Sequence, residues 1–430
     1  MDYEGYRRWL NSAAGQILLG QLYGRDESAL RAQTARYEKL LNSHRAAYGA
    51  GEGICLISAP GRTEIVGNHT DHNRGRVLAA AVNLDTLALA SPRGDLVVRL
   101  ISEGYAPLTL DLGQLEPKPG ENGTTAALIR GVADRMSALG FVIGGFNAVV
   151  TSQVMPGSGL SSSAAFEVAI AAVFDALFNG FNMGAGLRAQ VGQYAENVHF
   201  GKPSGLMDQM ASSVGGLVAM DFAKDSPEVE ALSFSFAASG FRLVVADTRG
   251  NHGDLTPAYS AIQSEMQAAA RAMGAHVLRE RGKEDFIRQL PEIREKAGDR
   301  AVLRALHFYN ENERVGQAVA ALEAADLDQF FSRVTESGLS SWMLLQNLYA
   351  EPKAQPLALA LAVAREVLKS EGACRVHGGG FAGTTLNFVP SDKLEEFTRR
   401  MDSLFGPGSC YVLDVRAVGA TLAGPALDSL

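Results

Sequence analysis

Residues 59–73, APGRTEIVGNHTDHN, put an arginine in a Pro-Gly turn and an Asn-His-x-Asp cluster six to nine residues further on. Arg62 offers a planar fork of donors suited to phosphoryl oxygens. Asn68, His69 and Asp71 offer the donors and acceptors that read hydroxyl groups. A metal-ligand reading through His69, Asp71 and His72 is the alternative, although two histidines and one carboxylate on a tight loop match no standard spacing. Hydrogen bonding within the loop is a third. A second segment, residues 156–165, PGSGLSSSAA, lies between a predicted strand and a predicted helix. Its glycines allow a tight turn and close approach of backbone to an anion, and the helix N-terminus adds unpaired N–H groups. Three serines add hydroxyls for phosphate oxygens or a metal. No lysine follows, as a Walker A loop requires, and neither the dinucleotide fingerprint nor Gly-x-Ser-x-Gly is present. A plain Gly/Ser turn capping a helix is the competing reading.

Three further segments carry polar groups among glycines. In residues 196–216, ENVHFGKPSGLMDQMASSVGG, Asp208 follows a glycine turn by three residues, as a helix cap or a functional carboxylate. Residues 247–259, DTRGNHGDLTPAY, form a polar loop ahead of a helix. Residues 374–385, CRVHGGGFAGTT, hold four glycines, either a hairpin near a nucleotide or a tight turn.

The elements that must position these segments show in the periodicity. Residues 1–45 read as polar-faced helices with a break near Gly24, either a packing arm or an oligomer contact. Residues 54–99 read as strands and turns, 124–139 as a helix, 146–155 as a strand and 164–177 as an apolar helix buried on most of its surface. The pattern loosens over residues 221–230, the expected domain boundary. Strand 242–247 follows, then a helix capped by Thr256 with Pro257 at its first position. Helical periods run to about residue 348. Helix 357–369, strand 385–389 and helix 393–404 complete the chain. Strands interleaved with helices, without regular βαβ units, point to α+β in two domains, 1–225 and 226–430.

The 430 residues are 47% apolar and 20% charged, with a net charge of −8, a globular composition. No Lys/Arg stripe appears, which argues against nucleic acid or an anionic membrane as partner. The cysteines Cys55, Cys374 and Cys410 have neither disulfide-framework nor metal-ligand spacing, as suits a reducing compartment. No signal-like or membrane-spanning apolar run is present, so the cytoplasm is expected.

In order and spacing, APGRTEIVGNHTDHN, PGSGLSSSAA and CRVHGGGFAGTT resemble the three signature segments of the superfamily of galactokinase, homoserine kinase, mevalonate kinase and phosphomevalonate kinase (GHMP kinases). The first segment, GLMDQMASSVGG, His252 with Tyr259, NENERV at residues 310–315, and Glu336-Ser337 look specifically like the galactokinase family. The resemblance implies a two-domain α+β fold of mixed sheets and helices, with sugar and ATP bound at the domain junction. It implies a kinase acting on the anomeric hydroxyl of galactose, with Asp208 as catalytic base and Arg62 beside the transferred phosphoryl group. It places ATP on Pro156, Gly157, Ser158, Gly159, Leu160, Ser161 and Ser162. Mg²⁺ falls on Ser163 and Glu196, and the sugar on Asn68, His69, Asp71, Gly205 and Tyr259.

The chain departs from the family pattern at Asn68, where a glutamate that reads the C6 hydroxyl is usual, and at His72, His377 and Ala382. Asn68 makes galacturonate and arabinose alternative substrates, and a non-catalytic sugar and ATP sensor is the alternative class. A monomer or small homo-oligomer is expected.

Overall fold

The computed structural model describes residues 2–49, 52–155, 157–224, 226–250, 255–381 and 383–424. Pro156, His252 and Ala382, singled out above, lie outside the described residues.

Three helices open the chain: α1 (Tyr3–Leu10), α2 (Ala13–Tyr23) and α3 (Glu27–Tyr48). Side-chain oxygens of Asp2, Ser12 and Asp26 cap their N-termini, and the chain turns at Gly24. Trp9, Leu19, Leu22, Tyr37 and Leu41 pack on Leu56, Leu87, Leu89 and Val149 of the first sheet, so these helices are a packing arm.

That sheet has the order β12 (Thr421–Leu422), β1 (Cys55–Val66), β2 (Arg76–Pro92), β5 (Phe146–Ser152), β3 (Val97–Ser102), β4 (Leu108–Asp111). The long strand β2 serves two partners: its Thr86–Pro92 half pairs with β5, and its Arg76–Ala80 half with β6 (Leu217–Asp221). β7 (Glu228–Leu232) pairs with β6. Strands β3 and β5 run parallel; the other named pairs are antiparallel. Side chains alternate across a strand, so the opposite face carries Ile57, Ala88, Ala90, Ala148 and Val150. On it lie α4 (Thr125–Ala138), α5 (Ser162–Phe178) and α6 (Ala185–Tyr194). α5 is buried almost throughout, as its unbroken apolar run predicts.

The second sheet has the order β11 (Cys410–Leu413), β8 (Phe241–Asp247), β10 (Thr384–Pro390), β9 (Ala373–Val376), all antiparallel. One face carries α13 (Pro356–Leu368) and α14 (Leu394–Phe405). The other joins β1, β2, α11 (Asp299–Glu323) and α12 (Leu327–Ser340) in a shared core around Phe236, Phe330 and Phe388. α7 (Met207–Val214) packs beside β2 and β6. α8 (Thr256–Ala272), α9 (Lys283–Arg288) and α10 (Leu290–Ala297) gather on α11. The cleft lies where the two sheets' loops meet.

Three local expectations need correction. The turn expected at Pro60-Gly61 lies within β1, as a register shift at Pro60/Arg62, and a second shift follows at Glu64/Val66. The loose stretch after Asp221 contains a strand: β7 is an exposed edge held by backbone pairing, so it needs no apolar pattern. The N-cap of α8 is Leu255, one residue before Thr256.

Candidate active site

Arg62 on β1 and Asp208 in the first turn of α7 meet from positions 146 residues apart. Arg62 Nε donates to Asp208 Oδ1 at 2.7 Å, and its Nη1 donates to the Gly159 carbonyl at 2.5 Å. Ser161 Oγ donates to the second Asp208 oxygen. The N-cap of α7 is Leu206, and Asp208 makes its side-chain bonds across the cleft rather than capping the helix. The bulge after Pro60 aims Arg62. A Cβ on Gly61 would come within 3.0 Å of the Leu160 carbonyl, and the Arg62 N–H donates to that carbonyl at 3.0 Å. Glycine here lets the serine loop lie directly on the strand.

Along that loop Gly157, Gly159 and Ser161 are left-handed, with φ of 80°, 74° and 59°. Such alternation forms the backbone nests that hold anions. No side chain caps the first turn of α5, which leaves its N–H groups available to phosphate. Gly157, Gly159, Ser161, Ser162 and Ser163 line a cavity of about 840 Å³ together with Arg62, Gly205 and Asp208. Two loop residues expected at ATP turn their side chains elsewhere. Ser158 Oγ donates to the Met155 carbonyl at 2.6 Å, and Leu160 is buried in the shared core, so these side chains hold the shape of the loop.

Glu196 lies on a π turn, Ala195–Phe200, that extends α6. Its Oε1 accepts from Ser163 Oγ at 2.9 Å and Lys202 Nζ at 2.7 Å; its Oε2 accepts from Ser204 Oγ at 2.7 Å and Gln209 Nε2 at 2.9 Å. Gln209 Nε2 also donates to Glu167 Oε2 at 2.9 Å. Burial, with Glu196 close by, pushes the Glu167 carboxyl well above the usual range. A serine hydroxyl and a carboxylate beside a phosphate site fit Mg²⁺, a hard ion that takes one or two carboxylates and completes its shell with phosphate and water.

On the opposite wall, His69 Nε2 lies 3.0 Å from the Gly379 carbonyl. A carbonyl only accepts, so Nε2 carries the proton. Burial and the neighbouring His72 ring lower the pKa of His69. Asp71 lies against Gly205: a Cβ at 205 would come within 1.6 Å of its Oδ2, so only glycine fits. Burial opposes the charge of Asp71, but its hydrogen bond with His72 and the two nearby rings outweigh that and lower its pKa. Tyr259 lines the cavity and donates to the Gly380 carbonyl at 2.9 Å.

Asn68 does not join them. It is fully buried; its Nδ2 donates to Glu64 Oε1 at 2.9 Å and the Gly378 carbonyl at 2.8 Å. Its Oδ1 accepts from Asn347 Nδ2 at 2.9 Å and Ser341 Oγ at 3.3 Å. These are the bonds a carboxamide can make, and none remains for a sugar hydroxyl.

Several supporting residues act through remote partners that sequence reasoning does not show. Glu64 pairs with Arg375 Nη2 at 2.9 Å, both buried. His377 sits between Thr63 Oγ1 at 3.0 Å and Thr384 Oγ1 at 2.9 Å, behind Arg62. Glu311 accepts from the Gly67 N–H at 2.9 Å and from Ser337 and Arg314. Burial opposes the Glu311 charge, but His307, Arg314 and Arg375 hold its pKa down to about 2. The NENERV and Glu336-Ser337 stretches were the available signal for this last group: they anchor the first loop.

Comparison with known proteins gives the family and the fold. A family model described as the galactokinase galactose-binding signature matches residues 42–92, and one for the GHMP kinase N-terminal domain matches residues 127–216. The chain is 31% identical over 371 residues to a galactokinase of Streptomyces coelicolor, covering 84% of this chain and 91% of that one. It is 32% identical over 389 residues to the human galactokinase, covering 87% and 94%. The structure of Lactococcus lactis galactokinase complexed with galactose superposes with a TM-score of 0.78 at 26% identity, over 91% of this chain and 100% of that one. Mevalonate kinase of Methanococcus jannaschii, at 13% identity and a TM-score of 0.60, shares the fold over 84% of this chain and 98% of its own. The chain belongs to the galactokinase family of the GHMP kinases.

Proposed function

We propose that the chain transfers the terminal phosphoryl group of ATP to the anomeric hydroxyl of galactose, giving galactose 1-phosphate and ADP. The observation that carries this reading is Asp208, held by Arg62 on one oxygen and Ser161 on the other, between the serine loop and the Gly205–Asp71 contact. Asp208 takes the proton from the anomeric hydroxyl as that oxygen bonds to phosphorus and the bond to ADP breaks. Arg62 places a guanidinium on the phosphoryl oxygens, and the serine loop with the α5 N-terminus holds the phosphate chain. His69, Asp71, Gly205 and Tyr259 form the sugar side. Ser163 and Glu196 would hold Mg²⁺, which supplies charge neutralisation between the phosphates. The free cysteines suit a reducing compartment, and we place the activity in the cytoplasm. ADP release measured with free galactose, galacturonate and arabinose tests the reading. Galactose should be the preferred sugar, and EDTA should abolish turnover. No turnover with galactose, or equal rates with EDTA, would overturn it.

A further inference from the structure

We infer that Lys202 is a second phosphate-binding cation of this site, exchanging between Glu196 and the phosphate chain of ATP. The inference rests on the kinase reading above. Among the described residues that line the cleft, the arginine and lysine side chains are Arg62 and Lys202. Arg62 has two of its three nitrogens engaged, Nε by Asp208 and Nη1 by the Gly159 carbonyl. A polyphosphate that lies beside Asp208 and Glu196 without its metal therefore gains from another positive group. Lys202 is placed for it. Its Nζ donates to the same Glu196 oxygen as Ser163 Oγ, so the ammonium stands one oxygen away from the first turn of α5 and the serine loop. The side chain is 57% exposed into the cleft, and an ammonium has three donors to distribute.

The backbone is already anchored for such a movement. The Lys202 N–H donates to the Glu196 carbonyl at 3.1 Å, after Gly201 closes the π turn in a left-handed conformation. Only the four-carbon stem has to rotate. A divalent ion on Glu196 Oε1 repels an ammonium on the same oxygen. With the metal absent, the ammonium's remaining donors still reach the phosphate oxygens from Glu196, and lysine binds phosphate as a point charge without needing a planar partner.

Lys202→Met keeps the stem and removes the charge; Lys202→Arg keeps the charge. Calorimetric titration of ATP in EDTA, of adenosine and of galactose compares both with the parent. Metal-free ATP should bind about tenfold more weakly to Lys202→Met and close to normally to Lys202→Arg, the scale of one charge-assisted hydrogen bond. Galactose and adenosine should bind all three proteins alike, which also shows that the variants are folded. The free Mg²⁺ needed for half-maximal turnover should stay constant or fall in Lys202→Met, because a competitor for Glu196 is gone. Metal-free ATP affinity within twofold of the parent overturns the inference. So does a rise in the Mg²⁺ requirement, since that would make Lys202 a prop for Glu196 alone. Failure of the kinase reading looks different: the parent itself would then show no phosphate-dependent gain of ATP over adenosine.

Discussion

Arg62 Nε and Asp208 Oδ1 stand 2.7 Å apart across the floor of the cleft, so the guanidinium and the carboxylate orient each other. Asp208→Asn keeps an oxygen for Arg62 and removes the proton acceptor. The expected outcome is a fall in kcat of about 10²–10⁴-fold, with ATP and galactose affinities nearly unchanged. Steady-state rates paired with calorimetric binding check it; kcat within tenfold of the parent would falsify the role of Asp208 as base.

Arg62→Lys should lower kcat/KM by on the order of 10²-fold or more. The guanidinium bonds Asp208 and the Gly159 carbonyl at once, in one plane, and an ammonium cannot hold both while facing a phosphoryl group. Unchanged turnover would remove Arg62 from the phosphoryl contact.

Ser163→Ala should raise the Mg²⁺ concentration that gives half-maximal rate, because the hydroxyl beside Glu196 Oε1 is lost. Galactose binding without metal should not change. The Mg²⁺ dependence of the rate at saturating substrates decides this, and identical curves would place the metal elsewhere.

Asn68→Glu, the residue usual in the family, should destabilise this protein rather than sharpen its choice of sugar. The new carboxylate would face Glu64 Oε1 and the Gly378 carbonyl, where the amide now donates. Glu64 is already raised in pKa by burial, against the pull of Arg375, and a second buried carboxylate costs on the order of 3 kcal/mol. A Tm lowered by several degrees is expected, with unchanged kcat/KM ratios among galactose, galacturonate and arabinose in the folded fraction. A stable variant with altered ratios would show that residue 68 meets the sugar.

Stability should fall on mild acidification. Burial, then the facing guanidinium groups of Arg62 and Arg375, push the pKa of His377 well below its ordinary value. Burial lowers His307 and His69 in the same direction. The unfolded chain takes up protons near pH 6.5 that the folded chain refuses, so this stability is complete above about pH 6.5 and is lost progressively below it. The Tm should drop between pH 7 and pH 5, and His377→Gln should flatten the slope. Parallel profiles for the two proteins would mean that His377 does not carry this dependence.

The sequence by itself determined most of the elements and, through a resemblance, pointed to the chemistry. Arg62, the serine loop and Asp208 each have a plainer local reading, so what makes them legible is the order and spacing in which their segments resemble the galactokinase family. The helices and central strands are legible because burial imposes a period on their side chains. What only the tertiary structure decided is which way a side chain faces. Asn68 sits in the sugar-reading motif, yet Gly378, Ser341 and Asn347, more than 270 residues away, take up its bonds. β7 carries no apolar period because an exposed edge needs none, and Lys202 looks like any surface lysine until the π turn brings it to Glu196. Residue type and element follow from neighbours in the chain, whereas the partners of a polar side chain come from segments that meet only when the two sheets pack on their shared core.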